Sequence, residues 1–288
     1  MLFFSCEKTE SIVDFPMVPS KLVANCEMNE DSTWRLQLSK SLSVLDNAPI
    51  KFIDTAIVKV YEEGVLLETL SSAAFDGIYL GVSKPKPNLS YRIAVSGIKN
   101  YDSIFAEDVL PDKAYIDNID ITIIDSSFFN DGYYSYGFMD VDFMITIEDD
   151  ANQENFYGIR AYTIDTFYTD FDSSYFDLYR TYLSLNSSDP IIDDNSDWNQ
   201  PLFKDNILNG QSIELVFNSS FYNYEPSIKV YWELMTYSKS AYLYKTSYNN
   251  YVNVRNNPFA EPVQVYSNVV NGYGVLSGTS VTSYAYTF

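Results

Sequence analysis

The 288-residue sequence contains no histidine. That removes the side chain that changes charge near neutral pH, and with it the Ser-His-Asp and Cys-His catalytic systems and the commonest transition-metal ligand. Catalysis would have to run on carboxylates, tyrosine or lysine. Cysteine is scarce: Cys6 and Cys26 are too few for a disulfide framework or a thiolate metal site. Basic residues number 18 against 39 acidic ones, and the formal charge of −21 repels nucleic acid and anionic lipid headgroups. No window approaches the roughly 18 uninterrupted apolar residues of a membrane-spanning helix. Phosphate loops and dinucleotide fingerprints are absent too. The expectation is therefore no nucleic-acid partner, no cofactor and no enzymatic activity.

What is present favours strands. Aromatic residues make up 17% of the chain, led by 26 tyrosines and 19 phenylalanines, and these suit a pleated, half-buried surface. The length fits two domains. From Lys21 to Asp112 the chain alternates with period two. Trp34, Leu36 and Leu38 oppose Arg35, Gln37 and Ser39; Ala56, Val58 and Val60 oppose Ile57, Lys59 and Tyr61; Tyr91, Ile93 and Val95 oppose Arg92, Ala94 and Ser96. Glu62-Glu63-Gly64 closes a hairpin. The pattern predicts an antiparallel β-sandwich, immunoglobulin-like or transthyretin-like, over residues 21–112.

Pro111-Asp112-Lys113 breaks this rhythm, and residues 113–288 form the second expected domain, an antiparallel β-barrel-like unit. One segment in it has helical spacing: Ala241, Tyr244, Tyr248, Tyr251 and Val252 share a face, and Ser238 is placed to cap the start. The expectation is a single helix over 238–254, packed across the barrel or plugging it. Asp193, Asn195 and Asp197 place oxygen ligands at alternate positions, as a Ca²⁺ loop does. Trp198 stands where that loop needs glycine and Lys204 where it needs a bidentate Glu, so a solvated acidic loop is the expected reading and no metal site is assigned. Carboxylates beside aromatic runs also suit a glycoside hydrolase, but with 39 acidic residues such pairs arise without function.

The amino terminus has its own organisation. Met1-Leu2-Phe3-Phe4-Ser5-Cys6 reads as the end of an apolar signal segment with a lipobox-like processing site, after which Cys6 carries the lipid anchor. Residues 1–20 are thus expected to be signal remnant, lipobox and tether, tying the protein to a membrane through lipid.

Several stretches together resemble a Bacteroidota lipoprotein family, domain of unknown function 4249. They are Asp54 to Gly64 leading to Tyr91 to Ser96; Ser188-Asp189-Pro190 with Phe203-Lys204-Asp205 and Asn209-Gly210; and Tyr242 to Tyr248 followed by Asn257 to Val263, Tyr266-Ser267-Asn268 and Asn271 to Gly274. The resemblance implies an outer-membrane, surface-exposed lipoprotein encoded beside a TonB-dependent receptor, acting as a ligand-binding or accessory subunit in nutrient uptake. It brings no catalytic residues, and the ligand is left unknown. It marks Tyr244, Tyr248, Asn257, Pro258, Phe259, Glu261, Pro262, Tyr266, Asn271 and Gly272 as candidates for the binding surface. A surface glycoside hydrolase working through carboxylates, or an adhesin, are the alternatives.

Overall fold

A computed structural model describes the protein over residues 19–287, apart from 44–45, 47, 131–134, 150–153, 169–175, 194–195, 198, 206–209, 224–228 and 258. Cys6, Asn195 and Pro258 lie outside the described residues. The alternating segments of the first part become β1 (Leu22–Met28), β2 (Arg35–Lys40), β3 (Ile57–Glu62), β4 (Val65–Ser72), β5 (Ile78–Leu80), β6 (Ser90–Ser96) and β7 (Ile104–Val109). The second part holds β8 (Tyr115–Asn130), β9 (Ser135–Glu148), β10 (Phe156–Tyr168), β11 (Phe176–Tyr182), β12 (Leu202–Lys204), β13 (Ser212–Asn223), β14 (Lys229–Tyr237), α1 (Lys239–Val254) and β15 (Tyr273–Thr287). The protein is mainly β with one helix.

The first core forms where the period-two pattern puts apolar side chains on one face. Leu36, Leu38, Val58, Val60, Tyr91, Ile93 and Val95 are buried there together with Trp34, whose ring meets Tyr91 edge-on at 5.1 Å. Glu63 and Gly64 both take positive φ, the geometry of a two-residue hairpin whose twist matches its strands, and they join β3 to β4. The hydroxyl of Tyr79 is buried at no cost in lost hydrogen bonding, because it donates to the Ile53 carbonyl and accepts from the Ala56 amide. Cys26 belongs to this core, and burial pushes its thiol up to about 12, which leaves it a small hydrophobe rather than a nucleophile.

The second core lies between two sheets. β13, β9 and β8 make one sheet, and β11, β10, β14 and β15 run along the other. Val141, Phe143, Ile145 and Ile147 of β9 and Ile213, Leu215 and Phe217 of β13 face Ile159, Trp232 and Leu234. The Phe143 and Trp232 rings meet edge-on at 4.9 Å across the gap. The barrel-like unit is thus two curved sheets closing on a filled interior.

The pairing of β15 departs from an all-antiparallel sandwich that ends near Asp112. Its first half, Tyr273 to Gly278, runs parallel to β1, and its second half, Thr279 to Thr287, pairs antiparallel with β14. The first core therefore takes Val269 and Leu276 from the far end of the chain. A parallel partner needs a long crossover, and here nearly the whole chain supplies it. Alternation within Val281 to Phe288 shows the second half, whereas Tyr273-Gly274 reads as a turn when its partner is out of sight.

The helix packs across the outer face of this sheet and leaves the second core to strands. Along β14, Val230, Trp232 and Leu234 point into the second core, while Met235 and Tyr237 join Phe156, Leu202, Ala241 and Tyr242 in a third cluster on the opposite face.

The β1–β15 contact depends on Gly274. Its φ is +109°, and a Cβ there would lie 2.0 Å from the carbonyl oxygen of Ala24. Gly274→Ala should therefore lose roughly 3 kcal/mol or more of stability, since backbone strain and a clash with main chain combine. Denaturant unfolding checks this, and a loss below about 1 kcal/mol would show that the ladder yields easily.

Candidate functional site

One face of the long sheet is concave. The outer-face residues of β15 are short or medium in size, Ser277, Thr279, Val281 and Ser283, while longer side chains stand on either side of them. On one flank are Glu27 of β1 and Arg35 and Gln37 of β2; on the other are Glu233 and Tyr237 of β14 and Arg160 of β10. Ala241, Tyr244 and Lys245 of α1 form one end wall. The result is an open trough of about 1050 Å³ whose floor crosses from the first half of the molecule to the second.

Register creates its charged centre. Arg160 and Glu233 are direct partners on adjacent antiparallel strands, and the Arg160 Nε donates to Glu233. Arg180 of β11 reaches the other oxygen of the same carboxylate at 3.6 Å, and its guanidinium lies over the Tyr162 ring at 4.7 Å. Tyr162 is in turn stacked on Tyr231 at 5.3 Å and 9°. Glu233 is thus nearly buried between two cations, a geometry in which pairing offsets desolvation. Its signal in the sequence is a charge inside an otherwise apolar strand, Trp232-Glu233-Leu234, facing Ile159-Arg160-Ala161 in another.

At the helix end, Lys245 places its ammonium 5.1 Å from the centre of the Tyr237 ring, and burial lowers its pKa from the usual lysine value while the nearby Glu27 raises it. Burial holds the Tyr237 phenol protonated well beyond the ordinary range, and its oxygen accepts from Gln200 Nε2 at 2.8 Å. Glu27 accepts from the Thr279 hydroxyl at 2.8 Å.

The family model described as "Domain of unknown function (DUF4249)" matches residues 8–285, almost the whole chain. The protein belongs to the DUF4249 family. No curated protein matches the chain.

The resemblance segments of this DUF4249 protein divide between the trough and its supports. Tyr244 lines the trough and stacks on Tyr248 at 6.0 Å, with Tyr248 and Tyr251 forming the next step of an exposed tyrosine ladder along α1. Asn257 Oδ1 accepts from the Phe259 amide, and Phe259, Glu261 and Pro262 lie exposed beyond the helix, away from the trough. Tyr266 donates its backbone amide to Ser247 Oγ at 2.9 Å, holding the return segment against α1. Asn271 has a positive φ, and a Cβ on buried Gly272 would sit 2.8 Å from the Leu22 carbonyl, so both shape the entry into β15. Asp205 accepts from the Asn155 amide and Phe203 is wholly buried, so that stretch is also internal scaffolding.

Asp193 and Asp197 border a separate hollow, where the Tyr242 hydroxyl donates to Asp193 Oδ2 at 2.8 Å. Among the described residues no group of acidic or thiol side chains is arranged to hold a metal ion.

Asn268 stands in a resemblance segment but outside the candidates. Its Oδ1 accepts from the Leu276 amide at 3.0 Å and its Nδ2 donates to the Leu276 carbonyl at 2.8 Å, so the side chain acts as an extra rung beside β15. Periodicity carries no trace of that role. Ser238 was legible as the helix cap, and it does accept from the Ala241 amide at 3.1 Å. It does more: its hydroxyl also accepts from the Gly278 amide at 3.0 Å and donates to Asp108 of β7.

Burial raises Asp108 from 3.8 to about 6, although hydrogen bonds from Ser238 and nearby amides pull the other way. Below about pH 4 the carboxyl is protonated in both folded and unfolded chains. As pH rises from about 4 to 6 the unfolded chain releases this proton first, so stability falls through that window, by on the order of 2 kcal/mol in total. Asp108→Asn removes the effect and keeps an acceptor for Ser238. Its Tm relative to the parent should climb by roughly 4 °C between pH 4 and pH 7. A Tm difference that stays constant across that range would contradict the assignment.

Proposed function

We propose that this chain is a lipid-anchored outer-membrane protein of Bacteroidota, exposed at the cell surface, that serves as a ligand-binding or accessory subunit of a TonB-dependent nutrient-uptake system. The observation that carries the binding role is the trough: it is concave, it mixes tyrosines with convergent polar groups, and it is shared by both halves of the molecule. Its carboxylates are engaged, Glu233 by two guanidiniums and Glu27 by Thr279, which favours holding a ligand over protonating a glycosidic bond. The lipobox-like Phe3-Phe4-Ser5-Cys6, followed by polar residues, supports the anchor, and membership of the DUF4249 family supports the association with a receptor.

Expression with a complete signal sequence in a Bacteroidota host tests both parts. The protein should partition into detergent, Cys6→Ser should release it, and mild solubilisation of outer membranes should bring down a TonB-dependent barrel with it. Partitioning unchanged by Cys6→Ser sinks the anchor, and pull-downs that lack any such barrel sink the uptake role.

A further inference from the structure

The trough is electrostatically unlike the rest of the protein. In a chain of formal charge −21 it gathers Arg35, Arg160, Arg180 and Lys245 against Glu27, Asp31 and Glu233. One carboxylate, Glu233, serves two guanidiniums, so one of those positive charges is left over at the centre. Arg180 is the surplus one: it touches Glu233 at 3.6 Å, longer than a hydrogen bond, and its side chain is 53% exposed. Lys245 makes no ion pair among the described residues, and the face of Tyr237 supports its ammonium. Desolvation already disfavours its charge, and an incoming anion would restore it. Between these two cations the floor of Ser277, Thr279 and Ser283 offers hydroxyls and room, and Tyr244 offers a ring face.

We propose that the trough takes a small organic carboxylate, with Lys245 and Arg180 as the groups that recognise its charge and Tyr244 as the surface on which its body lies. The inference rests on the trough being a ligand site, and it adds the ligand's chemistry. A guanidinium matches the planar carboxylate with paired donors, and a half-buried ammonium contributes more to an ion pair than an exposed one. The acidic exterior then acts as a filter, because an anion reaches a favourable potential only inside the trough.

Isothermal titration of the intact protein with citrate, with trigalacturonate and with uncharged cellotriose tests the proposal and separates a simple acid from an acidic sugar. At least one of the two acids should bind, and binding should weaken as salt is added. Lys245→Gln should weaken it at least tenfold, Lys245→Arg should restore most of the loss, and Arg180→Gln should weaken it several-fold. Arg180 is exposed, so its variant keeps the proposal open to refutation even where Lys245→Gln fails to fold. Equal affinity for cellotriose, unchanged binding in both charge-removing variants, or no binding of either acid overturns the carboxylate assignment. Should a barrel still co-purify in that event, the uptake role stands and only the ligand class falls. Acid binding without any barrel partner removes the uptake role and leaves the ligand class in place.

Discussion

The structure depends on one crossing, at Gly278. Its amide and carbonyl both bond to Ser238, and a Cβ would strike the Val109 carbonyl and the ring of Pro111, so the segment linking the two halves passes directly over it. Before this point β15 belongs to the ladder with β1, and after it to the ladder with β14. The hydroxyls of Ser280 and Thr282 continue the seam by donating to the carbonyls of Pro111 and Ala114. Because the same strand is structural in both halves, neither can lose it without exposing a core and a row of unpaired backbone groups.

The trough follows from that crossing. A continuous sheet face that runs from β2 through β1, β15 and β14 to β10 exists only because β15 joins the two halves, and the short side chains of β15 make the middle of that face its lowest part. The helix then closes one end, since Ser238 starts it at the seam and Asn268 fastens the return segment back to β15. Scaffold and site are therefore made by the same contacts. The buried Asp108 beside Ser238 is a cost of that junction, a carboxyl kept from water to satisfy a hydroxyl that already serves two other partners.

Much of the local structure was legible. The inward faces of Val58 and Val60, and of Tyr91, Ile93 and Val95, follow from period two, the β3–β4 turn follows from Glu63-Gly64, and the helix follows from its spacing and its Ser238 cap. What was not legible is long-range. The pairing of Val23 with Tyr273 spans almost the entire chain, and no local pattern encodes a parallel partner at such a distance. The trough's charged centre was hidden for the same reason: Arg160 and Glu233 become neighbours only through strand register, and Arg180 only through the strand beyond. Helical spacing did pick out Ala241 and Tyr244, two residues of the end wall, because a helix face is a local property; it passed over Lys245, whose role depends on what lies opposite.

The central claim is that a shared strand makes the two halves one cooperative unit. Trp34 lies in the first core and Trp232 in the second, so variants retaining only one of them report on each core separately by fluorescence during denaturant unfolding. The shared strand predicts the same midpoint and the same slope from both probes. Two separated midpoints, with one core unfolding while the other stays intact, would contradict it.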